Sequence, residues 1–114
     1  ELLKCQRYYA KSFAFATVPA QNVGITGALV AVAATAAAGS ISFRQYWPTR
    51  MRAAPTVTTY NTNAANADWW DTNAAASRAV SVNEQSDNSV RIVMNAATTA
   101  GSQHFIHWTA NARL

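Results

Sequence analysis

Few residues of this chain can do chemistry. The carboxylates are Glu1, Asp68, Asp71, Glu84 and Asp87, the histidines are His104 and His107, and Cys5 is the one thiol. Asp68 and Asp71 flank the dipeptide Trp69-Trp70. Paired carboxylates beside aromatic rings are the equipment of a glycosidase cleft, where one is the acid and the other the base or nucleophile. Such pairs oppose each other from separate elements, however, and these two share one short polar segment, so a solvated turn is the simpler reading. His104 and His107 are three apart, which puts them on opposite faces of a strand and spoils a shared metal site. No H-E-x-x-H, cysteine cluster or acidic calcium loop accompanies them, so neither metal nor cofactor is expected. Cys5 cannot close an intramolecular disulfide and reads as a buried apolar thiol. There is no Gly-rich phosphate loop and no G-x-S-x-G. The expectation is a protein that is not an enzyme.

Aromatic side chains are the better functional material. Tyr8, Tyr9, Tyr46, Trp47, Tyr60, Trp69, Trp70 and Trp108 exceed what a small Ala-rich core needs. Trp and Tyr offer flat apolar faces with a polar handle, suited to sugar rings and to interfaces. Two adjacent tryptophans in a polar segment do not both fit a core. One anchors the segment and the other meets solvent, a partner chain or a glycan. Asp68, Trp69, Trp70 and Asp71 are therefore the candidate ligand-binding residues.

The elements that must position them read as β throughout. Ser40 to Tyr60 is strand, corner, strand: Ile41, Phe43 and Trp47 alternate, and Thr56 to Tyr60 is β-branched and aromatic. Pro48 and Pro55 bracket the corner, because proline has no N–H for a ladder. Trp47, Pro48, Arg50, Met51, Arg52 and Pro55 form a structural corner, with Met51 turned inward and the two arginines held by salt bridges or backbone carbonyls. Further strands are expected at Tyr8 to Thr17, Ile25 to Thr35, Arg78 to Glu84, Ser89 to Met94 and Gln103 to Ala110. Asn61 to Ala76 reads as polar loop interrupted by Asp68 to Asp71. About seven or eight short strands, with turn signals roughly every 8–12 residues, predict one antiparallel β-sandwich or jelly-roll domain over residues 1–114. Ile25 to Thr35 is Ala-rich, and small side chains let another sheet or chain approach closely.

Net charge is +4, scattered without a basic run, which argues against nucleic acid as a partner. No residue from Ser12 to Phe43 is charged, yet Pro19, Gln21, Asn22 and glycines interrupt that stretch. Its cleanest piece, Gly27 to Ala38, is shorter than the roughly 20 residues of a spanning helix, so no membrane insertion is expected. No basic region followed by an apolar one opens the chain, so no signal peptide is expected.

Three stretches carry a resemblance. Glu1-Leu2-Leu3-Lys4-Cys5-Gln6-Arg7-Tyr8-Tyr9 resembles an E-L-x-x-C-Q-R-Y-Y motif of tailed-phage and prophage virion proteins of the tail-fibre kind. Arg50 to Thr58 is similar to their M-R-x-x-P-T-V-T segment, and Trp108 to Leu114 to their closing W-x-A-D-A-E-L, with Asn111 and Arg113 where acidic residues are usual. The resemblance implies a C-terminal virion module cut from a longer protein, a β-sandwich presented as a homotrimer on a fibre, spike or capsid surface. Its implied partners are further copies of itself, other virion proteins and a host surface polysaccharide or receptor. It implies no catalytic residues. The function expected is host recognition at a fibre tip; the alternative is a purely structural trimerisation, attachment or decoration module.

Overall fold

The computed structural model describes residues 8–13, 16–39 and 41–112. The expected stretch 1–7, including Cys5, lies outside them, as do Ala14, Phe15, Ser40, Arg113 and Leu114. Among the described residues the chain is all-β: β1 (Tyr9–Lys11), β2 (Leu29–Val32), β3 (Ser42–Tyr46), β4 (Thr56–Tyr60), β5 (Trp69–Asp71), β6 (Ala76–Arg78), β7 (Val80–Asn83), β8 (Ser89–Met94) and β9 (Gln103–Asn111). All pairings are antiparallel.

β9 organises the larger sheet. Its Thr109–Asn111 end pairs with both β1 and β4, so those two lie on opposite flanks. Its other end pairs with β2 through Gln103–Ile106 and with β5 through His104 and Phe105. The path β1-β9-β5-β6 puts β1 and β2 on one flank and β4 and β5 on the other. The smaller sheet runs β3-β8-β7.

Alternation explains how the sheets stack. Ile106, Trp108 and Ala110 of β9 face Val90, Ile92 and Met94 of β8, and all six belong to one buried cluster with Trp69, Trp47, Met51 and Ile41. This is the two-sheet antiparallel sandwich that the strand spacing predicts. The outer face of the larger sheet carries Gln103, Phe105, His107, Thr109 and Asn111 from β9.

The expected corner is the crossing between sheets, since β3 belongs to the smaller and β4 to the larger. Trp47 is buried, donates its indole N–H to the Ser86 carbonyl (3.0 Å), and tilts against Trp108 at 5.3 Å. Met51 is buried and its N–H meets the Asp87 carbonyl at 2.7 Å. Arg50 pairs with Asp87 (2.7 Å), and Arg52 donates to the Ala112 carbonyl (3.0 Å) beneath the Tyr8 ring. Pro48 is exposed and Pro55 buried. On the outer face of the smaller sheet Arg44 and Arg91 are direct cross-strand neighbours. Like charges so placed repel, and Glu84 reaches both, which holds its carboxyl below the ordinary range, chiefly through the Arg44 hydrogen bond.

Candidate functional site

Within the Asp68–Asp71 segment, Trp69–Asp71 is a strand. β5 pairs with β9 and β6, and its period of two divides the candidate residues between the faces. Trp69 and Asp71 point inward and are fully buried. Trp70 faces outward and is partly exposed, as is Asp68 just ahead of the strand. A four-residue ligand set is thereby corrected: two of its members have no access to a ligand, because burial places them against the core.

Asp71 has an internal task. Its Oδ1 accepts the N–H groups of Asn73 and Ala74 (3.2 Å each), which shapes the turn into β6. Its Oδ2 accepts from Arg78 (3.1 and 3.2 Å) and from the Thr98 hydroxyl (2.9 Å). The His104 ring stands beside it, Nε2 at 2.9 Å from Thr98 Oγ1 and 3.5 Å from Asp71 Oδ2, with Nδ1 facing the Ser102 carbonyl at 3.1 Å. Burial alone would push the Asp71 carboxyl up. The Ala74 N–H, the Thr98 hydroxyl and the Arg78 guanidinium, with His104 beside them, outweigh it and hold the group below its ordinary 3.8. Carboxylate and hydroxyl share one ring nitrogen here, whereas a nucleophilic triad places them on opposite nitrogens. Asp71 and His104 are both buried, so the cluster braces β5, β6, β9 and the loop before β9 from beneath.

The outer face above this cluster is different. Register aligns Val30, Phe105, Trp70 and Ser77 as direct neighbours across β2, β9, β5 and β6. Phe105 and Trp70 are partly exposed and Val30 is exposed. Gln103 is exposed beside them, its N–H held by Asn73 Oδ1 at 3.3 Å. Ser77 is fixed by Asn61 and Asn66, whose side-chain amides donate to its Oγ at 3.1 and 3.0 Å. Asn61 is itself a buried hub: it receives Asn63 and Ala64 N–H groups, and its carbonyl accepts from Asn22. Two partly exposed aromatic rings on one sheet face, edged by Gln103 and Ser77, form a surface suited to stacking a sugar ring.

Phe105 is not among the candidates that the sequence offers, because a lone Phe in an alternating strand reads as core. Its parity, shared with Gln103 and opposite to Ile106 and Trp108, is the signal that could have found it.

At the other end of β9 the same face is closed. Phe13 stacks on His107 (4.0 Å between centroids) and meets Tyr60 edge-on at 5.3 Å. His107 Nε2 faces the Gly24 carbonyl (3.0 Å), which can only accept, so that nitrogen carries the proton and Nδ1 accepts from the Ser12 hydroxyl (2.9 Å). Burial holds His107 below its ordinary 6.5, partly offset by the Gly24 carbonyl. Among the described residues, no group of His, Cys, Asp and Glu could hold a metal ion, and no helix is long and apolar enough to cross a membrane. Compared with protein-family models, with curated proteins and with solved structures, the chain matches none.

Proposed function

We propose that this chain is a host-recognition module of a tailed-phage virion, carried at a fibre or spike tip, that docks a surface polysaccharide on the Trp70–Phe105 face. The partly exposed Trp70–Phe105 pair carries this reading. The three-part motif resemblance supports the virion setting, alongside other virion proteins. The module binds without turning its ligand over: Asp71 is committed to Arg78 and Thr98, which leaves Asp68 without a second carboxylate in the segment.

The test is adsorption of host cells, and of their purified polysaccharide, to the wild-type chain and to Trp70→Ala/Phe105→Ala. Binding is expected to fall to the level of an unrelated control while the melting transition is retained. Unchanged adsorption by the double variant overturns the reading. The second reading, an assembly module without a ligand, is favoured by the exposed Val30 and Val32 of β2. It predicts self-association with no affinity for the host.

A further inference from the structure

β2 is an edge strand without the usual protections. Natural sheets guard their edges with charged residues, proline or bulges, because a bare edge recruits another strand. Among the other edge strands, β1 carries Lys11, β3 carries Arg44 and β6 carries Arg78, while Pro55 precedes β4 and Glu84 follows β7. β2 is Leu-Val-Ala-Val, and its register against β9 is continuous, with no bulge.

The ladder shows which groups are free. Ala33 donates to the Ser102 carbonyl, so Leu29, Ala31 and Ala33 direct their backbone groups toward β9. Those of Val30 and Val32 point away from the sheet, and among the described residues no backbone bond reaches them. The two residues are 52% and 57% exposed, with their side chains on the outer face. The chain beyond, from Ala34 to Gly39, is exposed and holds only Ala, Thr and Gly, so nothing bulky blocks a strand from approaching.

We propose that the β2 edge is a self-association surface, where a second copy of this chain pairs antiparallel through its own β2. The occupant follows from charge. Around a twofold axis each residue meets its own kind, so any charged residue near the axis would face its like. The run from Ser12 to Phe43, the longest uncharged stretch of this +4 chain, can meet itself without that penalty. With the axis at Ala31, Val30 of each copy lies opposite Val32 of the other. Both residues then exchange N–H and C=O bonds across the axis, and their side chains pack together on the outer face. The two larger sheets merge into one. With strands about 4.8 Å apart, the two Trp70 rings then share one face, five strand spacings or roughly 24 Å from each other.

The test is the solution mass of the wild-type chain and of Val32→Lys by sedimentation equilibrium. Val32 is exposed, so the lysine disturbs no core, and retained far-UV circular dichroism checks the fold. A dimer, or an even-numbered assembly built from dimers, that falls to smaller species in Val32→Lys supports the pairing. So does slowed amide exchange at Val30 and Val32 as wild-type concentration rises. A monomer at about 100 μM, where a contact of micromolar affinity would be saturated, overturns it. A trimer overturns it too, as does a dimer whose mass Val32→Lys leaves unchanged. Polysaccharide binding is scored separately, so failure of the pairing leaves the Trp70–Phe105 reading standing, and the converse.

Discussion

The outer face of β9 has two ends that share one strand and one parity but have opposite fates. At His107 and Thr109 the face is roofed by Phe13 and by the chain around Gly24, and both residues are buried. At Gln103 and Phe105 it is bare. The difference is not in hydrophobicity, since the bare end holds Phe105, Trp70 and Val30, and the roofed end holds a histidine and a threonine. It lies in hydrogen bonding. His107 supplies one bond to Ser12 and one to Gly24, so the covering segment has polar partners that repay its ordering. The bare end offers flat rings and amides whose bonds are already made to Ser77 and Gln103. A covering loop gains little there.

The comparison can be broken most severely from beneath. Asp71→Ala leaves Arg78 and His104 without their carboxylate, and removing one partner of a buried pair costs about 3–5 kcal/mol. Urea unfolding is expected to show that loss, together with lost polysaccharide binding, because the bare end rests on this cluster. His107→Ala attacks the roof. Losing the Phe13 stack and two hydrogen bonds is expected to cost about 2–4 kcal/mol, with faster amide exchange at Gly24 and binding retained by the folded fraction.

Acid should loosen the same roof more gently. Folding lowers the His107 pKa from its ordinary 6.5, so the unfolded chain binds the proton more readily. The stability that the neutral ring contributes is full above that value and is lost as pH falls through the folded value. Urea midpoints at pH 7.5 and 5 should differ, and His107→Gln should narrow the gap. Asp71 also has a lowered pKa and contributes in the same direction, but only below 3.8. The smallest stability effect is expected for Trp70→Ala, below about 1 kcal/mol for an outward strand position. A large loss of stability there would show that Trp70 is a structural ring, and would erase the contrast between the two ends.

Much of the frame was readable in the residues. Thr56–Tyr60 and Ser89–Met94 have the predicted bounds, and β9 runs one residue past the expected Ala110. The alternation of Val90, Ile92 and Met94 is unambiguous because one face is wholly buried. β5 was not legible. Three residues are too few to alternate, and what makes them a strand is β9, more than thirty positions away. Arg78 to Glu84 reads as one strand, but the chain changes sheets at Ala79, whose carbonyl takes the Asn95 N–H. Together these account for nine strands against the seven or eight expected. Of the described residues in Tyr8 to Thr17 and Ile25 to Thr35, only those of β1 and β2 are strand, because β9 offers each only a few partners. In the candidate site, parity inside β5 decided that Trp70 faces out and Trp69 in, and parity has no meaning for a segment taken as loop. Ser40 to Tyr60 holds the corner that joins the sheets, while β9 takes the organising place.

That place has a consequence for synthesis. Every other strand of the larger sheet pairs with β9 or, in the case of β6, with a strand that does, and all of them precede it in the chain. While the polypeptide is emerging, β1, β2 and β4 have nothing to bond to. The smaller sheet, by contrast, is complete once Met94 is out. Contacts this distant in sequence form slowly, and unpaired strands are prone to stick to one another while they wait. A chain interrupted between Met94 and Gln103 would hold a three-stranded sheet and a set of unsatisfied strands. Interrupted synthesis would thus leave a product that proteases can distinguish from the finished domain.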